Sequence, residues 1–575
     1  MTKVLRRRSI PEAPGLASLP PLLARVYAAR GLRSSEELDL RPAGLLPPSN
    51  MKNIDAAAER LMVALERGER LLIVGDFDAD GATSAALGVD VLRRFGAASI
   101  DYLVPNRFEY GYGLTPEIVA LARERAPQLI ITVDNGISSV NGVRAAAEAG
   151  IEVVVTDHHL PGKTLPDARV ILNPNQPGCA FESKALAGVG VMFYLLLHLR
   201  ARLRAAGWFA ARGIEEPNLG TYLDLVALGT VADVVPLDRN NRILVQGGLA
   251  RMRRGLARPG IAALLSIAGR DPSRLVAADL GFAVGPRLNA AGRLDDMSVG
   301  IECLLTDDPG RARDLALQLD GMNRERRRIG QDMEDQAVAA LEHVRLDEAA
   351  LPAALLLFDE HWHQGVVGIL ASRIKERYHR PVIAFADAGD GLLKGSGRGL
   401  PGLHLRDLIE RVAAEHPGLI AGFGGHAMAA GLSLARESYP AFATAFIAVT
   451  QAAGAAELEA VIETDGCLEA EEFQLALAED LRVGGPWGQQ FPEPLFDGEF
   501  DVVSQRIVGE RHLKLSLQAP GLTASVDAIA FSVDMDRWPD DAVQRVRVAY
   551  RLDVNEYRGR RSLQLIVEQL EALHL

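Results

Sequence analysis

The chain of 575 residues is 48% hydrophobic and 24% charged, a composition typical of a soluble globular protein with three or four domains. It has neither an apolar run long enough to span a membrane nor a signal peptide, and its three scattered cysteines indicate a reducing cytoplasm and disfavour a disulfide framework or a cysteine zinc site. The net charge of −13 argues weakly against a nucleic-acid partner, although a basic groove around an acidic metal site is compatible with it.

Residues 1 to 50 are expected to form an extension, with a helix at 22–33, that packs on the first domain. From residue 54 onward, apolar strands alternate with helices, which predicts a doubly wound α/β domain with a parallel sheet. The expected helices are 56–67, 82–95, 116–125 and 140–149, and the expected strands are 71–74, 99–104, 129–133 and 153–156.

Acidic and imidazole side chains follow three of these strands where the strands end. Asp76, Asp78 and Asp80 follow strand 71–74, while Asp134-Asn135-Gly136 and Asp157-His158-His159 follow the strands at 129–133 and 153–156. Because the carboxyl ends of strands in a doubly wound sheet share one edge, these groups should converge. Buried carboxylates need a neutralising cation, and hard divalent ions such as Mg²⁺ or Mn²⁺ suit oxygen ligands.

The aspartate-rich turn has two other interpretations. Its pattern also opens a calcium-binding EF-hand loop, but that loop needs a glutamate at its twelfth position, which is Leu87 here, and a helix before it instead of a strand. A purely structural acidic turn stays open at this point. Asp233 follows a predicted helix at 222–230 in an apolar segment, where it is either an ordinary paired acid or a further metal contact.

Four motifs together carry a family resemblance. They are Asp76-Phe77-Asp78-Ala79-Asp80-Gly81, Val133-Asp134-Asn135-Gly136, Asp157-His158-His159 and Val231-Ala232-Asp233. In this order they resemble the DHH phosphoesterase superfamily and, within it, the RecJ family of bacterial single-strand-specific 5′→3′ DNA exonucleases. The resemblance runs nearly from end to end. It implies two α/β domains, termed DHH and DHHA1, joined by a long helix and followed by a C-terminal β-barrel of the oligonucleotide-binding (OB) type.

The resemblance also implies hydrolysis of phosphodiester bonds with two divalent cations, Mn²⁺ or Mg²⁺, roughly 3.5–4 Å apart. The implied ligands are Asp76 and Asp78 for one cation, Asp80, His158 and Asp233 for the other, and Asp134 as a bridge, since its strand should lie between the other two. His159 would contact the scissile phosphate. Asp157 would be a ligand or would orient a histidine, and Asp76 could be an outer-shell base instead of a ligand.

Two basic segments follow. Arg287, Asn289 and Arg293 lie in 285–293, which also resembles a RecJ segment and is either suited to phosphate contact or an ordinary loop beside a helix. A long helix at 311–344 contains the run Asn323-Arg324-Glu325-Arg326-Arg327-Arg328. Such a run is usually a solvated face, but in a connector between domains it could also line a DNA channel.

A second α/β domain is expected from 353–358 onward, with a helix at 365–377 and a strand at 381–385. Two glycine loops follow, at 394–399 and 422–427, in which backbone N–H groups can approach an anion together with Arg398 and His426. This pair resembles the substrate-binding DHHA1 domain. Gly399 departs from the serine expected in many relatives, which puts a hydroxyl contact in doubt.

Beyond residue 457 the pattern becomes that of a β domain. Residues 512–517 alternate strictly, and the strands at 546–554 and 562–567 flank a basic hairpin with one aromatic side chain, Tyr557-Arg558-Gly559-Arg560-Arg561. These features fit an OB-type barrel, which binds single strands through a cationic groove and stacking aromatic rings. A small β domain for docking a partner protein is the alternative.

Hydrolysis from a 5′ end requires a pocket for the terminal phosphate. The candidates for substrate binding are Arg107, Arg287, Asn289, Arg293, Ser396, Arg398, Gly425 and His426. Selectivity for single strands would be steric, in a cleft between the two α/β domains. The resemblance implies that the partners are single-stranded DNA, a single-strand binding protein and a RecQ-type helicase, and that the protein acts in DNA recombination and repair. No membrane partner is expected.

The expected boundaries are 1–50 for the extension, 51–305 for the DHH domain, 306–345 for the connecting helix, 346–452 for the DHHA1 domain and 453–575 for the OB-type domain. Two other functions stay open: a DHH enzyme acting on short oligonucleotides, cyclic dinucleotides or pyrophosphate, and a non-catalytic DNA-binding scaffold. The extension, the long helix and the β-rich tail favour a polymer substrate, and the complete set of ligands favours catalysis.

Overall fold

The computed structural model describes residues 3–105, 110, 112–343, 351–453, 460–535, 537–557 and 559–573. The chain divides into two compact units. The N-terminal unit is Ser9–Asn323 with Ala478–Pro494, and the C-terminal unit is Met1–Arg8 with Arg324–Leu477 and Leu495–Leu575. No helix in the described ranges is long and apolar enough to cross a lipid bilayer.

The strands of the described residues are β1 (Val4–Arg7), β2 (Arg70–Gly75), β3 (Ser99–Leu103), β4 (Leu129–Val133), β5 (Glu152–Thr156), β6 (Val170–Leu172), β7 (Leu355–Phe358), β8 (Val382–Asp387), β9 (Leu392–Arg398), β10 (Gly422–Gly425), β11 (Ala429–Ala435), β12 (Val461–Thr464), β13 (Phe496–Val508), β14 (His512–Gln518), β15 (Val526–Ala530), β16 (Arg545–Tyr557) and β17 (Arg560–Leu573).

The longer helices are α1 (Pro21–Ala28), α2 (Ile54–Arg67), α3 (Ala79–Arg94), α4 (Pro116–Arg123), α5 (Val140–Glu148), α6 (Gly188–Ala205), α7 (Trp208–Arg212), α8 (Leu223–Ala232), α9 (Arg239–Arg253), α10 (Pro259–Ile267), α11 (Gly285–Leu294), α12 (Ser298–Leu305), α13 (Pro309–His343), α14 (Val367–Tyr378), α15 (Leu405–Glu415), α16 (Tyr439–Ala453) and α17 (Leu475–Val483).

The N-terminal unit is built on a five-stranded parallel sheet with the order β3-β2-β4-β5-β6. Both faces of this sheet are buried. In β2, Leu71 and Ile73 point into one apolar cluster, and Leu72 and Val74 point into another. Continuous apolar strands are the expected sequence for a sheet that is covered by helices on both sides. The predicted doubly wound α/β architecture is confirmed.

The C-terminal unit contains a second five-stranded sheet, with the order β10-β11-β9-β8-β7. The two glycine segments expected as loops are strands here, since 394–399 lies largely in β9 and 422–427 begins with β10. Close packing explains the glycines of β9. A Cβ atom on Gly395 would lie 2.5 Å from a ring carbon of Phe385, and one on Gly397 would lie 2.9 Å from Leu405.

The same unit contains a closed barrel, β13-β14-β15-β17-β16, which matches the predicted OB-type domain. The predicted basic hairpin joins β16 to β17, although its Arg558 lies outside the described residues. The extension differs from expectation, because β1 pairs in parallel with β12 of the C-terminal unit. An ion pair of 2.8 Å between Arg7 and Asp497 fixes β1 there, so only the residues from Ser9 onward belong to the N-terminal unit.

Two further segments refine the expectations. The stretch 285–293, which we interpreted as a segment for phosphate contact or a loop, is helix α11. The predicted long helix is confirmed as α13. The boundary between the two units lies within it, between Asn323 and Arg324.

Candidate metal centre

The carboxyl ends of β2, β4 and β5 lie side by side at one edge of the parallel sheet, with β4 in the middle. Asp76, Asp134 and Asp157 follow these strands and are 7%, 1% and 1% exposed. Together with their neighbours they form a group that we call the acidic edge: Asp76, Asp78, Asp80, Asp134, Asp157, His158, His159 and Asp233. The predicted convergence of the strand ends therefore brings buried charges together.

Two helix N-termini hold the carboxylates that follow β2. Asp78 caps α3, since its Oδ1 accepts hydrogen bonds from the N–H groups of Asp80 at 2.9 Å and Gly81 at 3.0 Å. The two oxygens of Asp80 accept N–H groups at the start of α6, from Gly188 at 2.6 Å and Val189 at 2.9 Å. Backbone donors and the helix dipole both favour negative charge at these positions, so the two carboxylates are fixed in orientation.

Asp134 ends β4 in a left-handed conformation, with φ of 62°. A Cβ atom on Gly188 would lie 2.9 Å from Asp134 Oδ1, so α6 can approach only because position 188 is glycine. Asp134 Oδ1 is 3.0 Å from His158 Nε2, and Asp233 Oδ2 is 3.4 Å from the same nitrogen. Neither buried oxygen accepts a hydrogen bond from the described residues. Buried oxygens in this state need an explanation, and metal ligation supplies one.

Both carboxylate oxygens of Asp157 accept hydrogen bonds from nearby donors. Its Oδ1 accepts the N–H groups of His158 at 2.7 Å and His159 at 3.0 Å, and it also lies 2.8 Å from His159 Nδ1. Its Oδ2 accepts the N–H of Ile137 at 2.9 Å. Of the two roles considered for Asp157, these contacts favour the one that orients a histidine.

The electrostatics of the edge are those of a site that requires cations. Burial raises the pKa of Asp80 to about 7, with repulsion from Asp78 as a further cause, despite two backbone hydrogen bonds that lower it. Burial, followed by repulsion from neighbouring carboxylates, raises the pKa of Asp134 and of Asp233 well above the ordinary value. These like charges oppose one another unless positive charge lies among them.

Asp157 and His159 form the exception. Burial pushes the pKa of Asp157 upward, but the hydrogen bond and charge of His159 outweigh it and the pKa is lowered. Burial likewise pushes the pKa of His159 downward, but the hydrogen bond to Asp157 and the charges of Asp157, Asp76 and Asp78 together raise it. The pair therefore favours a protonated imidazole beside an ionised carboxylate.

Three sets of side chains place one ligand atom each within 4.8 Å of the others. They are Asp76 with Asp78 and Asp134, Asp80 with His158 and Asp233, and Asp134 with His158 and His159. Asp134 occurs in two of the sets, as a shared ligand would. The first two sets group the side chains as the sequence predicted, and the assignment of individual ligands stays a prediction.

Two of the predicted phosphate contacts of the N-terminal unit, Asn289 and Arg287, have partners inside that unit. Asn289 Oδ1 accepts the N–H of Ala79 at 2.8 Å and so supports the acidic turn from behind. Arg287 is only 8% exposed and pairs with Asp320 at 2.9 Å. Arg293 lies half-buried in the last turn of α11. Arg107 lies outside the described residues, and phosphate contact by any of the four stays a prediction.

The remaining candidates belong to the C-terminal unit. Arg398 ends β9 and donates a hydrogen bond of 3.1 Å to Ser396 Oγ. A Cβ atom on Gly368, at the start of α14, would lie 2.9 Å from Arg398 Nη2, so this glycine makes room for the guanidinium. Gly425 has φ of 135°, a conformation that favours glycine, and turns the chain into the exposed His426. Substrate binding by this group also stays a prediction.

Sequence reasoning missed three residues that support the two histidines. Asn175 donates a hydrogen bond of 2.6 Å to the carbonyl of His158, and Asn173 donates one of 3.0 Å to that of His159. Tyr112 Oη donates to the carbonyl of Asp134 at 3.2 Å, and its ring meets the ring of His159 edge to face. The signal for the asparagines was available, because Asn173 directly follows β6, the next strand end along the same edge.

Comparison with known families agrees with this architecture. The model described as "DHH family, N-terminal domain" matches residues 70–230, the DHHA1 domain model matches 350–452, and the RecJ OB domain model matches 464–569.

Individual relatives cover nearly the whole chain. The single-stranded-DNA-specific exonuclease RecJ of Dickeya dadantii is 58% identical over 567 residues, 98% of both chains. The protein of the same name from Escherichia coli is 56% identical over 568 residues, again 98% of both. A crystal structure of RecJ in complex with Mn²⁺ from Thermus thermophilus superposes with a TM-score of 0.81 at 32% identity, over 99% of this chain and 80% of that one. The chain thus belongs to the RecJ family.

Proposed function

We propose that the chain is a metal-dependent exonuclease that hydrolyses single-stranded DNA from its 5′ end. The observation that carries the proposal is the acidic edge, where Asp134 Oδ1 and Asp233 Oδ2 are buried without hydrogen bonds from the described residues. The substrate class is supported by relatives at 58% and 56% identity that are named single-stranded-DNA-specific exonucleases.

The cofactors in this proposal are two divalent cations, Mn²⁺ or Mg²⁺. Related structures from Thermus thermophilus are complexes with Mn²⁺ and with Mg²⁺, at 32% and 30% identity. The proposed ligands are Asp76 and Asp78 for one cation, Asp80, His158 and Asp233 for the other, and Asp134 for both. When bound, such cations neutralise phosphate oxygens and lower the pKa of the attacking water.

His159 is the proposed contact to the scissile phosphate. Its pKa is raised by Asp157, so the imidazole can carry a proton and donate to an anionic oxygen. Asp157 holds the Nδ1 side of the ring at 2.8 Å, Asn173 donates a hydrogen bond to the His159 carbonyl, and the ring of Tyr112 packs against the imidazole. These contacts fix the ring in advance, which is the condition for efficient stabilisation of developing charge.

Ser396, Arg398, Gly425 and His426 are proposed to bind the 5′-terminal phosphate. A guanidinium suits this task because its planar fork matches phosphate oxygens. In the N-terminal unit, Arg107, Asn289 and Arg293 are proposed as further substrate contacts, and Arg287 is one only if it leaves Asp320. The 5′→3′ polarity rests on this phosphate pocket.

The helix α13, with its run Arg324 to Arg328, and the barrel are proposed to guide the incoming strand. The match to the RecJ OB domain supports a nucleic-acid role for the barrel. A single-strand binding protein, a RecQ-type helicase and a cytoplasmic role in recombination and repair complete the proposal as family expectations. Addition of a purified single-strand binding protein to the nuclease reaction tests the first of these partners.

The test of the proposal is degradation of a long single strand that carries one label at its 5′ end, in the presence of Mn²⁺. We expect the label to appear first as a mononucleotide, and we expect a blunt duplex of the same sequence to be degraded much more slowly. Release of the label only after the strand has been shortened from its 3′ end would contradict the polarity.

The same reaction separates the proposal from the alternative DHH enzymes. Dinucleotides, cyclic dinucleotides and pyrophosphate are offered beside the long strand at equal concentration. Faster turnover of any of these small substrates would overturn the choice of a polymer. Absence of metal-dependent turnover on every substrate, with single-strand binding intact, would identify a scaffold.

A further inference from the structure

The N-terminal unit contains a second cluster of like charges, of opposite sign to the acidic edge. It is an open cavity of about 670 Å³ beside helix α9, lined also by the segment 483–485 and by residues near the start of the chain. Three arginines of α9 and the turn after it line the cavity: Arg242, Arg251 and Arg254. We call this site the basic pocket.

Arg242 is the unusual member of the basic pocket. Arg242 is only 4% exposed. Its Nε atom is buried without a hydrogen-bond partner among the described residues, and Arg242 takes part in no ion pair among them. Its guanidinium lies 4.2 Å from the ring centroid of Phe491. Stacking compensates part of the cost of burying a cation, but it satisfies none of the five N–H donors.

The surrounding charges do not neutralise Arg242. Burial lowers the pKa of this arginine, and the carboxylates of Glu37 and Asp238 raise it by less. Glu37 accepts the N–H groups of Arg33 and Ser34, and Asp238 caps α9 by accepting the N–H of Asn241. Both carboxylates therefore keep their negative charge near Arg242, but neither forms an ion pair with it among the described residues.

The other arginines add to the same positive charge. Arg251 Nε is also buried without a hydrogen-bond partner, and within the described residues neither Arg251 nor Arg254 forms an ion pair. Arg41, at the rim, does not contribute in this way, because it pairs with Asp39. Three arginines that form no ion pair among the described residues thus line one cavity, and an anionic ligand would complement their charge.

We propose that the basic pocket binds a nucleoside monophosphate. Its phosphate is a dianion suited to several guanidinium groups, and the cavity volume is that of a small-molecule site. The rim carries apolar side chains, Leu256 at 50% and Val483 at 63% exposed, against which a base can pack. The anion site stands on this geometry alone, and only the source of the ligand, as a product of the exonuclease, rests on the proposed function.

The experiment is calorimetric titration of the full chain with deoxythymidine monophosphate and with inorganic phosphate, in buffer containing EDTA so that divalent cations do not hold the ligand at the acidic edge. The pocket variant is Arg251→Gln with Arg254→Gln, which spares the buried Arg242. The matched control is Arg93→Gln with Arg144→Gln, which removes two exposed arginines of the same unit. Thermal melting checks that every variant is folded.

We expect the pocket variant to raise the Kd for deoxythymidine monophosphate by about tenfold or more. The control pair should leave the Kd within about twofold, and inorganic phosphate should compete. The Arg398→Gln variant should also leave this binding intact, which separates the basic pocket from the proposed phosphate pocket of the C-terminal unit.

Three results would overturn the proposal: no binding by the wild-type chain, equal binding by the pocket variant, or loss of binding in Arg398→Gln alone. An acidic peptide and a single strand are also titrated against the wild-type chain and the pocket variant. If an acidic peptide or a single strand binds in an Arg251- and Arg254-dependent way and the nucleotide does not, the occupant is a macromolecule and the proposal is wrong. Nuclease activity is measured separately, so failure of the proposed function is a distinct outcome.

Discussion

The acidic edge and the basic pocket both bring like charges together within the N-terminal unit, but different contacts stabilise them. At the acidic edge, backbone N–H groups and a histidine satisfy some of the carboxylates, as the contacts of Asp80 and Asp157 demonstrate. At the basic pocket, the described residues give Arg242 an aromatic ring to stack on but no ion pair. We therefore expect the side chains of the edge to be held in place without bound cations, whereas the position of Arg242 depends more on a bound ligand.

The two regions also differ in how the chain builds them. The acidic edge gathers residues from several strand ends across the sheet, and each lies within a recognisable motif. The basic pocket draws its arginines from α9 and the turn after it, on a stretch without a motif. Changes at the edge should therefore affect chemistry and metal binding, and changes at the pocket should affect ligand binding alone.

The largest effect is expected from Asp134→Ala. This change removes the shared ligand of the proposed cations, so kcat on single-stranded DNA should fall by about 10³-fold or more, on the order of 4 kcal/mol of transition-state stabilisation. Fluorescence anisotropy should find the affinity for single strands within about threefold of wild type. The control is Asp167→Ala, an exposed acid of the same unit. Full turnover by Asp134→Ala would refute the assignment of the edge.

A smaller and more selective effect is expected from Arg398→Gln. A charge-assisted contact to phosphate contributes about 1.5–3 kcal/mol, so kcat/KM on a 5′-phosphorylated strand should fall by about 10- to 100-fold. The rate on a 5′-hydroxyl strand should hardly change. Arg406→Gln, at an exposed position of the same unit, serves as the control. An equal loss on both strands would remove Arg398 from the phosphate pocket.

Asp157→Asn tests whether orientation of the histidines matters apart from metal ligation. The amide keeps the shape of the side chain but loses the charge that holds His159, and supporting groups of this kind typically contribute about 10- to 100-fold. We expect a loss of about that size in kcat with KM and manganese affinity little changed. A variant that no longer binds manganese would make Asp157 a ligand instead.

Asp134→Asn should stabilise the protein when divalent cations are absent. The raised pKa of Asp134 means that its ionised form costs folding free energy above the ordinary aspartate pKa, and asparagine removes that cost. The gain should be about 1–2 kcal/mol at pH 8 and should shrink towards pH 4, where the folded carboxyl is protonated and about half of the unfolded carboxyl is protonated as well. Thermal melting in EDTA at the two pH values measures it, and an unchanged or lower melting temperature at pH 8 would count against a repulsive edge.

The smallest effect is expected from the pocket variant, Arg251→Gln with Arg254→Gln, in the nuclease assay. Initial rates on single strands should stay within about twofold of wild type, because the basic pocket takes no part in the proposed chemistry. A loss comparable with that of Arg398→Gln would place these arginines on the DNA path.

Much of the acidic edge could be predicted from the sequence because parallel strands deliver their ends to one side of a sheet. Asp76, Asp134 and Asp157 each follow a short apolar run, and the order of the strands then brings them together. The fold class was predictable for the same reason, since alternating strands and helices leave few topologies.

The remaining features depend on contacts between distant parts of the chain. The glycines at 395 and 397 were interpreted as an anion loop, yet close packing against Phe385 and Leu405 requires them in a strand. The partner of β1 lies more than 450 positions away in β12, and no local pattern could have indicated it. The basic pocket likewise exists only because the segment 483–485 returns to α9.

The most direct test of the account is a titration of the metal-free chain with Mn²⁺, in which bound ions are counted per chain and the rate on single-stranded DNA is followed at each point. We predict that two ions bind at the acidic edge, that activity rises as both sites fill, and that Asp134→Ala loses the ions and the activity together. A single bound ion at full activity, or an unchanged count in Asp134→Ala, would contradict it.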